Sequence, residues 1–287
     1  MMHTGRFINQ KSKKKKKTRT ERRFGPWEES DYRKWSRGMN PQPNPSRYLM
    51  RHVTPDLIPE LRGGGWNLTT LQKYVKKFVL HYDVAGYSKN CFRVLHDMRF
   101  LSVHFMLDVD GMLYQTVDLK ERTHHATITN TDSIGIEIAN IGAYPVNGQN
   151  PFDKWYKRDP NGLMRLVLPK GALRNENFVG RPIRNSPVRG SIQGSNLEQY
   201  DLTKEQYASL IKLTAALVKL FPKIKLDYPR ENGKLRTTKL PDAEILRYEG
   251  LMGHYHVSSS KVDPGPAFQW DLLINEVKKL NEEKKRN

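Results

Sequence analysis

The sequence has one cysteine, a deficit of acidic residues and no long apolar run. Cys91 is the single cysteine among 287 residues, which excludes a disulfide within the chain and leaves packing or a metal to stabilise the fold. No stretch reaches the roughly 18 apolar residues that a membrane-spanning helix needs, and the basic start is not followed by the apolar segment of a secretory signal. These absences predict a soluble chain.

The deficit of acidic residues leaves a strongly basic chain. Its 49 Lys and Arg residues against 30 Asp and Glu residues give a formal net charge of +19. Such an excess favours binding to a polyanion, which includes nucleic acid, an anionic membrane surface and an anionic cell-wall polymer. The hydrophobic content of 37% is sufficient for an ordinary core at this length, which excludes disorder throughout.

Residues 1–62 form a basic, proline-rich arm. Like charges repel along the run from Lys11 to Arg23, so we predict that the arm does not fold by itself. Two interpretations stay open, a solvated tail and an arm that binds RNA or an anionic wall polymer. The first 20 residues contain no acid, as in a mitochondrial presequence, but the lysine run lacks a clear amphipathic period. The compartment is therefore left unassigned.

Residues 63–287 are predicted to form an α/β domain. The segment KKFVLHYD from Lys76 is typical of a buried strand that ends in polar residues, and SIGIEIANIG from Ser133 is typical of a central strand. In that second strand the isoleucines would lie on one face and Glu137 on the other. Asp110 and Gly111 join two alternating β segments and predict a tight hairpin.

Helical signals flank these strands. NCFRVLHDMRF predicts a short helix with Phe92, Leu95 and Phe100 directed inward. The segment DLTKEQYASLIKLTAALVKLFP has a capping-box pattern at Thr203 and an apolar helical face, and it ends at a proline. Residues 144–200 are too long for a simple connection and are interpreted as an ordered insertion with a short strand at 163–168. A last helix is predicted to begin at Pro266.

Polar residues occur at three places where a core pattern predicts apolar ones. These places are His81 at a strand end, Glu137 within a strand, and the loop from His254 to Asp263. Two histidines and one aspartate satisfy the three protein ligands that a catalytic zinc needs. The sequence has no CxxC or HExxH motif, so such a site would be assembled from distant segments.

The segments VLHYDVAG, SVHFMLDVDGMLYQTVDLKERTHHA, SIGIEIAN and GHYHVSSSKVDPGPAFQW occur in this order along the chain. In order and local chemistry they resemble the blocks of the zinc-dependent N-acetylmuramoyl-L-alanine amidases, a family of phage lytic amidases, bacterial recycling amidases and peptidoglycan recognition proteins. The resemblance covers roughly residues 76–142 and 250–273. It implies a central mixed β-sheet of five or six strands flanked by helices, a zinc ion in a cleft at the strand ends, and hydrolysis of the amide between N-acetylmuramic acid and L-alanine.

The resemblance also implies roles for individual residues. Three positions match the zinc ligands of the family: His81, His254 and Asp263. Glu137 matches the residue that acts as general base or orienting acid for the zinc-bound water. Lys261 matches the loop lysine that stabilises the oxyanion, and His125 matches a position that lines the substrate groove.

One position departs from the family pattern, and several alternatives stay open. Val103 stands where several members of the family carry a catalytic tyrosine, so this chain would depend on Glu137. His256 is an alternative ligand, whereas His104 and His124 are interpreted as structural or surface residues. The alternative function is that of a structural or RNA-associated subunit of a large assembly, such as an organellar ribosome.

Overall fold

The structure, a computed structural model, describes residues 67–286. The arm predicted at residues 1–62 therefore lies outside the described residues. The strands, in chain order, are β1 (Lys77–Tyr82), β2 (Phe105–Leu107), β3 (Leu113–Gln115), β4 (Ser133–Ile138), β5 (Tyr144–Pro145), β6 (Tyr156–Arg158), β7 (Met164–Leu166), β8 (Val188–Ile192), β9 (Ser195–Gln199), β10 (Arg230–Glu231), β11 (Lys234–Leu235) and β12 (Gly250–Gly253).

Seven α-helices accompany these strands within residues 67–286. They are α1 (Leu68–Tyr74), α2 (Ser88–Phe92), α3 (Phe152–Trp155), α4 (Lys204–Leu220), α5 (Asp242–Arg247), α6 (His254–Val257) and α7 (Trp270–Arg286). A π-helical turn at Arg93–Met98 continues α2, and a 3₁₀ turn lies at Thr127–Thr129. None of the described helices is long and apolar enough to cross a membrane.

A five-stranded sheet in the order β12-β1-β4-β2-β3 forms the centre of the fold. The first four strands are parallel, and β3 pairs antiparallel with β2. The predicted mixed sheet flanked by helices is therefore confirmed. The Asp110–Gly111 turn joins β2 and β3 as predicted, and Gly111 adopts a left-handed φ of +80° that favours glycine.

The two faces of the sheet pack against different elements. Ile134, Ile136 and Ile138 of β4 lie in the main core with residues of α4 and α7. The opposite face packs on α2 and its π-helical turn through a smaller cluster that includes Cys91, Leu95, Val103, Met106 and Tyr114. This second face also carries Glu137, as the alternation in the sequence predicts.

Helix α4 follows its sequence pattern closely. Thr203 accepts a hydrogen bond from the backbone N–H of Gln206, and the Gln206 side chain accepts one from the backbone N–H of Thr203, which completes the predicted capping box. The helix ends at Leu220, two residues before Pro222. Its apolar face is buried against the sheet and α7.

Residues 144–200 are ordered as an insertion with three short elements of its own. These are a three-stranded sheet (β5-β9-β8), a hairpin (β6-β7) and helix α3. An aromatic group holds them together, in which the rings of Tyr156 and Tyr200 stack at 4.0 Å and Phe152 contacts both edge-on. The strand predicted at 163–168 is β7.

Two predictions about helices were wrong. Phe100 is not directed inward: it is 45% exposed, because its left-handed φ of +53° breaks the helical path just after the π-helical turn. The last helix begins at Trp270 rather than Pro266. The Phe268 N–H donates to the Gly265 carbonyl and closes a turn, and the Ala267 N–H donates to the Gln199 side chain, so this stretch lies outside the helix.

Candidate metal centre and active-site cleft

The carboxyl ends of β12, β1 and β4 bring the predicted site residues to one edge of the sheet. His81 pairs in register with Glu137, so the two side chains leave the same face of neighbouring strands. Leu80 pairs with Gly253, so His254 follows directly beside His81. Crevices at the carboxyl ends of parallel strands are the usual location of ligand sites in α/β proteins.

Three side-chain atoms converge at this edge. His81 Nδ1 lies 3.0 Å from His254 Nδ1 and 2.9 Å from Asp263 Oδ2, and His254 Nδ1 lies 3.0 Å from the same carboxylate oxygen. All three residues are buried. Within residues 67–286 this is the group whose geometry could hold a metal ion.

The donor set fits a divalent cation such as zinc. Two imidazole nitrogens and one carboxylate oxygen are ligands that zinc accepts in catalytic sites. Burial lowers the pKa of His81 to about 4, with the neighbouring His254 adding to the effect, and a neutral imidazole is the form that binds a metal. Burial alone would raise the pKa of Asp263, but the charge of His254 and the close contacts of both imidazoles with Asp263 Oδ2 hold that pKa well below its usual range.

Glu137 lies beside this group in a water-poor position. The pKa of its carboxyl is raised well above the usual range, first by burial and then by the charges of Asp263 and Asp83. Lys261 and Arg99 oppose that shift. Among the described residues, Glu137 Oε2 has no hydrogen-bond partner. A carboxyl in this environment takes up a proton readily, as a general base must.

A cleft of about 270 Å³ opens onto the group. Its wall includes Glu137, Lys261 and His125 together with the three convergent residues, so the structure brings all six sequence-predicted site residues to one cavity. His125 stands closer to the convergent group than a groove residue would, because its Nδ1 lies 2.9 Å from His81 Nε2.

The other residues singled out in the sequence lie apart from the convergent atoms. His256 is a buried residue of α6, where its Nδ1 accepts from the backbone N–H of Gly253 and its Nε2 donates to the Arg236 carbonyl. His104 is fully buried with its Nε2 donating to the Glu121 carbonyl, and His124 lines the cleft beside Arg122. Val103 is fully buried in the core below the cleft.

Buried amide side chains hold the loop that carries Asp263. The Gln199 side-chain amide donates to the Pro264 carbonyl and to Asn140 Oδ1, and its carbonyl accepts from the Ala267 N–H. The Asn140 backbone N–H in turn donates to Asp83 Oδ1. The sequence did not predict this brace. The polar Asn140 just after a core strand was a usable signal, but nothing in the sequence connects Gln199 to the loop.

The sequence model of the N-acetylmuramoyl-L-alanine amidase family matches residues 71–266. This match spans more than half of the chain and includes every candidate site residue. It continues through the insertion at 144–200. No curated protein matches the sequence significantly.

The solved structures that this chain resembles are distant from it in sequence. AmiD from E. coli, in complex with anhydro-N-acetylmuramic acid-L-Ala-D-gamma-Glu-L-Lys, is 18% identical with a TM-score of 0.40, over 71% of this chain and 57% of AmiD. The chain thus spans little more than half the length of AmiD. A selenomethionine derivative of AmpD is also 18% identical, with a TM-score of 0.36, over 72% of this chain and 86% of AmpD. AmpDh3 from Pseudomonas aeruginosa is 16% identical with a TM-score of 0.39, over 78% of this chain and 66% of its own.

Proposed function

The chain belongs to the N-acetylmuramoyl-L-alanine amidase family, and from that premise we propose that it hydrolyses the amide between N-acetylmuramic acid and L-alanine in peptidoglycan or its fragments. The observation that carries this proposal is the convergence of His81, His254 and Asp263 beside a buried glutamate in an open cleft. Each residue type has a task in amide hydrolysis.

His81, His254 and Asp263 would hold a zinc ion. When bound, zinc supplies a Lewis acid that polarises an amide carbonyl and makes water more acidic. The three side chains are held by β1, α6 and the 258–269 loop, so the fold presents them before any ligand arrives. Their burial limits competition from bulk water for the same positions.

Glu137 is proposed to move the proton. The water oxygen forms a bond to the carbonyl carbon while Glu137 accepts a water proton, and the carboxyl then delivers that proton to the departing L-alanine nitrogen as the C–N bond breaks. The unpartnered Oε2 atom and the raised pKa support this role. The products are a muramoyl carboxylate and a free L-alanine amino group.

Lys261 is proposed to stabilise the negative charge that develops on the carbonyl oxygen. It lies on the cleft wall, two residues before Asp263, and its ammonium is close enough to lower the pKa of Glu137. A fixed positive charge at such a place stabilises a tetrahedral oxyanion more than it stabilises the neutral amide.

We further propose that residues 63–287 form the catalytic unit and that the basic segment Lys11–Arg23 binds a polyanion. The assembly-subunit alternative depended on that same segment, which lies outside the described residues. Deleting Met1–Arg23 should leave turnover unchanged and flatten the salt dependence of binding to RNA or wall polymer. On duplex DNA, a plot of the logarithm of the binding constant against the logarithm of the salt concentration has a slope of about −0.9 for each neutralised phosphate. Unchanged salt dependence would contradict the proposal for the arm.

The test of the catalytic proposal is turnover of a muramoyl peptide by the purified full chain. Release of the muramic acid lactyl carboxylate and of an L-alanine amino terminus should require zinc, stop with chelator and return when zinc is added. Cleavage of any other bond, or full activity in the presence of chelator, would contradict the proposal. Glu137→Gln measured in parallel controls for a contaminating amidase.

A further inference from the structure

A line of hydrogen bonds leads from the outer nitrogen of His81 away from the cleft. His81 Nε2 lies 2.9 Å from His125 Nδ1, and His125 Nε2 lies 3.1 Å from Ser133 Oγ. The Ser133 hydroxyl donates to the backbone carbonyl of Thr129 at 2.6 Å. The line thus contains two imidazoles and a hydroxyl, groups that can each donate or accept, and it ends on a group that can only accept.

The carbonyl at the end sets the direction of every bond in the line. Since the Ser133 proton is directed to the Thr129 carbonyl, Ser133 Oγ accepts from His125 Nε2–H. His125 Nδ1 then holds a lone pair and accepts from His81 Nε2–H. The result is an unprotonated His81 Nδ1, which is the atom that faces His254 and Asp263.

The surrounding fold holds His125 in this position. Asn130 Oδ1 accepts from the backbone N–H groups of His125 and Ala126, which anchors the turn that carries Thr129. Gly135 of β4 leaves the space for the imidazole, because a Cβ at this position would lie 2.6 Å from His125 Nδ1. Gly135 does not have a positive φ, so the backbone conformation does not require glycine. The close approach of the His125 ring does.

We propose that His125 is a positioning residue, which with Ser133 and the Thr129 carbonyl keeps the His81 proton on Nε2 and its Nδ1 lone pair directed at the metal position. The proposal rests on the zinc site proposed above and adds to the groove position that the family resemblance implies for His125. A metal-ligating histidine whose second nitrogen is fixed by a partner binds its metal more tightly, and loss of such partners typically costs about 10- to 100-fold in affinity.

Nitrogen NMR of the full chain labelled with ¹⁵N-histidine tests the tautomer without zinc or substrate. The metal-free wild-type protein should show His81 protonated at Nε2, and Ser133→Ala should show a mixture of tautomers. Ser209→Ala is the matched control, because the Ser209 hydroxyl also donates to a backbone carbonyl at 2.6 Å but lies far along the chain on α4. A wild-type His81 protonated mainly at Nδ1 would overturn the proposal.

Zinc affinity, measured by competition with a chelating dye, gives the second readout. Ser133→Ala should raise the zinc Kd by about 10-fold or more, whereas Ser209→Ala should stay within about twofold of wild type. His125→Phe is a second variant, which serves if Ser133→Ala fails to fold. It keeps an aromatic ring against Gly135 and removes both nitrogens, so it should raise the zinc Kd by at least the same factor. Wild-type affinity in a folded His125→Phe protein would overturn the proposal.

The two readouts separate this inference from the proposed function. A protein that shows the expected tautomers and affinities but does not cleave muramoyl peptides would contradict the proposed reaction alone. If the wild-type protein cleaves muramoyl peptides and the Ser133→Ala variant binds zinc with wild-type affinity, the positioning role alone would be contradicted.

Discussion

The two ends of β1 both bury polar side chains, yet they do so in opposite ways. At the start of the strand, Lys77 is fully buried and its Nζ lies 2.5 Å from Asp132 Oδ2. At its end, His81 meets another imidazole and a carboxylate, each about 3.0 Å away. The start of the strand pairs a cation with an anion, whereas its end brings together two imidazoles and a carboxylate, which can all act as metal ligands.

This difference separates a structural polar pair from a ligand site. Burial lowers the pKa of Lys77, but the Asp132 charge and hydrogen bond oppose that shift, so the two opposite charges offset each other even though Asp132 Oδ1 has no hydrogen-bond partner among the described residues. At the His81 end two imidazole Nδ1 atoms and a carboxylate oxygen face one another, and in the unprotonated state that binds a metal all three present lone pairs. A cation completes them, so we infer that the same strand carries a structural pair at one end and a reactive group at the other.

The largest expected effect is loss of the metal at the His81 end. His81→Ala removes one of three ligands, so zinc content should fall from about one ion per chain to near zero, and turnover should disappear with it. Metal analysis after gel filtration measures the change. Lys77→Met at the other end of β1 should keep full zinc content, and zinc retained by His81→Ala would sink the ligand assignment.

The next largest effect is a loss of stability at the Lys77 end. Lys77→Met leaves the Asp132 carboxylate without its main partner, and breaking a buried pair in this way costs about 3 kcal/mol in the free energy of unfolding. Urea denaturation measures it. The double variant with Asp132→Asn should recover part of the loss, since no unpaired charge then remains buried. A single-variant loss below about 1 kcal/mol would mean that the pair contributes little.

A smaller effect separates chemistry from binding at the His81 end. Glu137→Gln keeps the shape of the side chain and removes the base, so turnover should fall by about 100-fold or more while zinc content stays near one. Steady-state rates with a muramoyl peptide, beside metal analysis of the same sample, measure both. Turnover at the wild-type rate would assign the proton transfer to another residue.

The smallest effect tests the brace from the insertion. Gln199→Ala leaves the Pro264 carbonyl and the Ala267 N–H without their partner, so the loop that presents Asp263 should loosen and the zinc Kd should rise by about 10-fold. Gln72→Ala is the control, because its side chain also donates to a carbonyl, that of Leu220, far from the site. Equal zinc Kd values in the two variants would show that the brace has no influence on the metal.

Much of the site could be predicted because its chemistry is visible locally. His81, Glu137 and His254 interrupt apolar strand patterns, and a buried polar residue in such a pattern indicates a partner or a site. Gln199 could not be predicted, since it lies 65 residues before Pro264 and the sequence of its short, largely polar strand gives no sign of a contact with that loop. Phe100 misled the prediction because helical periodicity carries no information about a backbone that turns left-handed.

The sequence by itself determined where the main strands lie along the chain, the faces of β4, the capping of α4 and which residue types were free to bind a metal, because alternation, helical period and capping act over a few neighbouring residues. Only the tertiary structure decided that His81 Nδ1 rather than Nε2 meets His254 and Asp263, and that Ser133 lies behind His125. Those choices depend on the parallel register of β12, β1 and β4 and on rings that approach across the sheet, which are contacts between segments far apart along the chain.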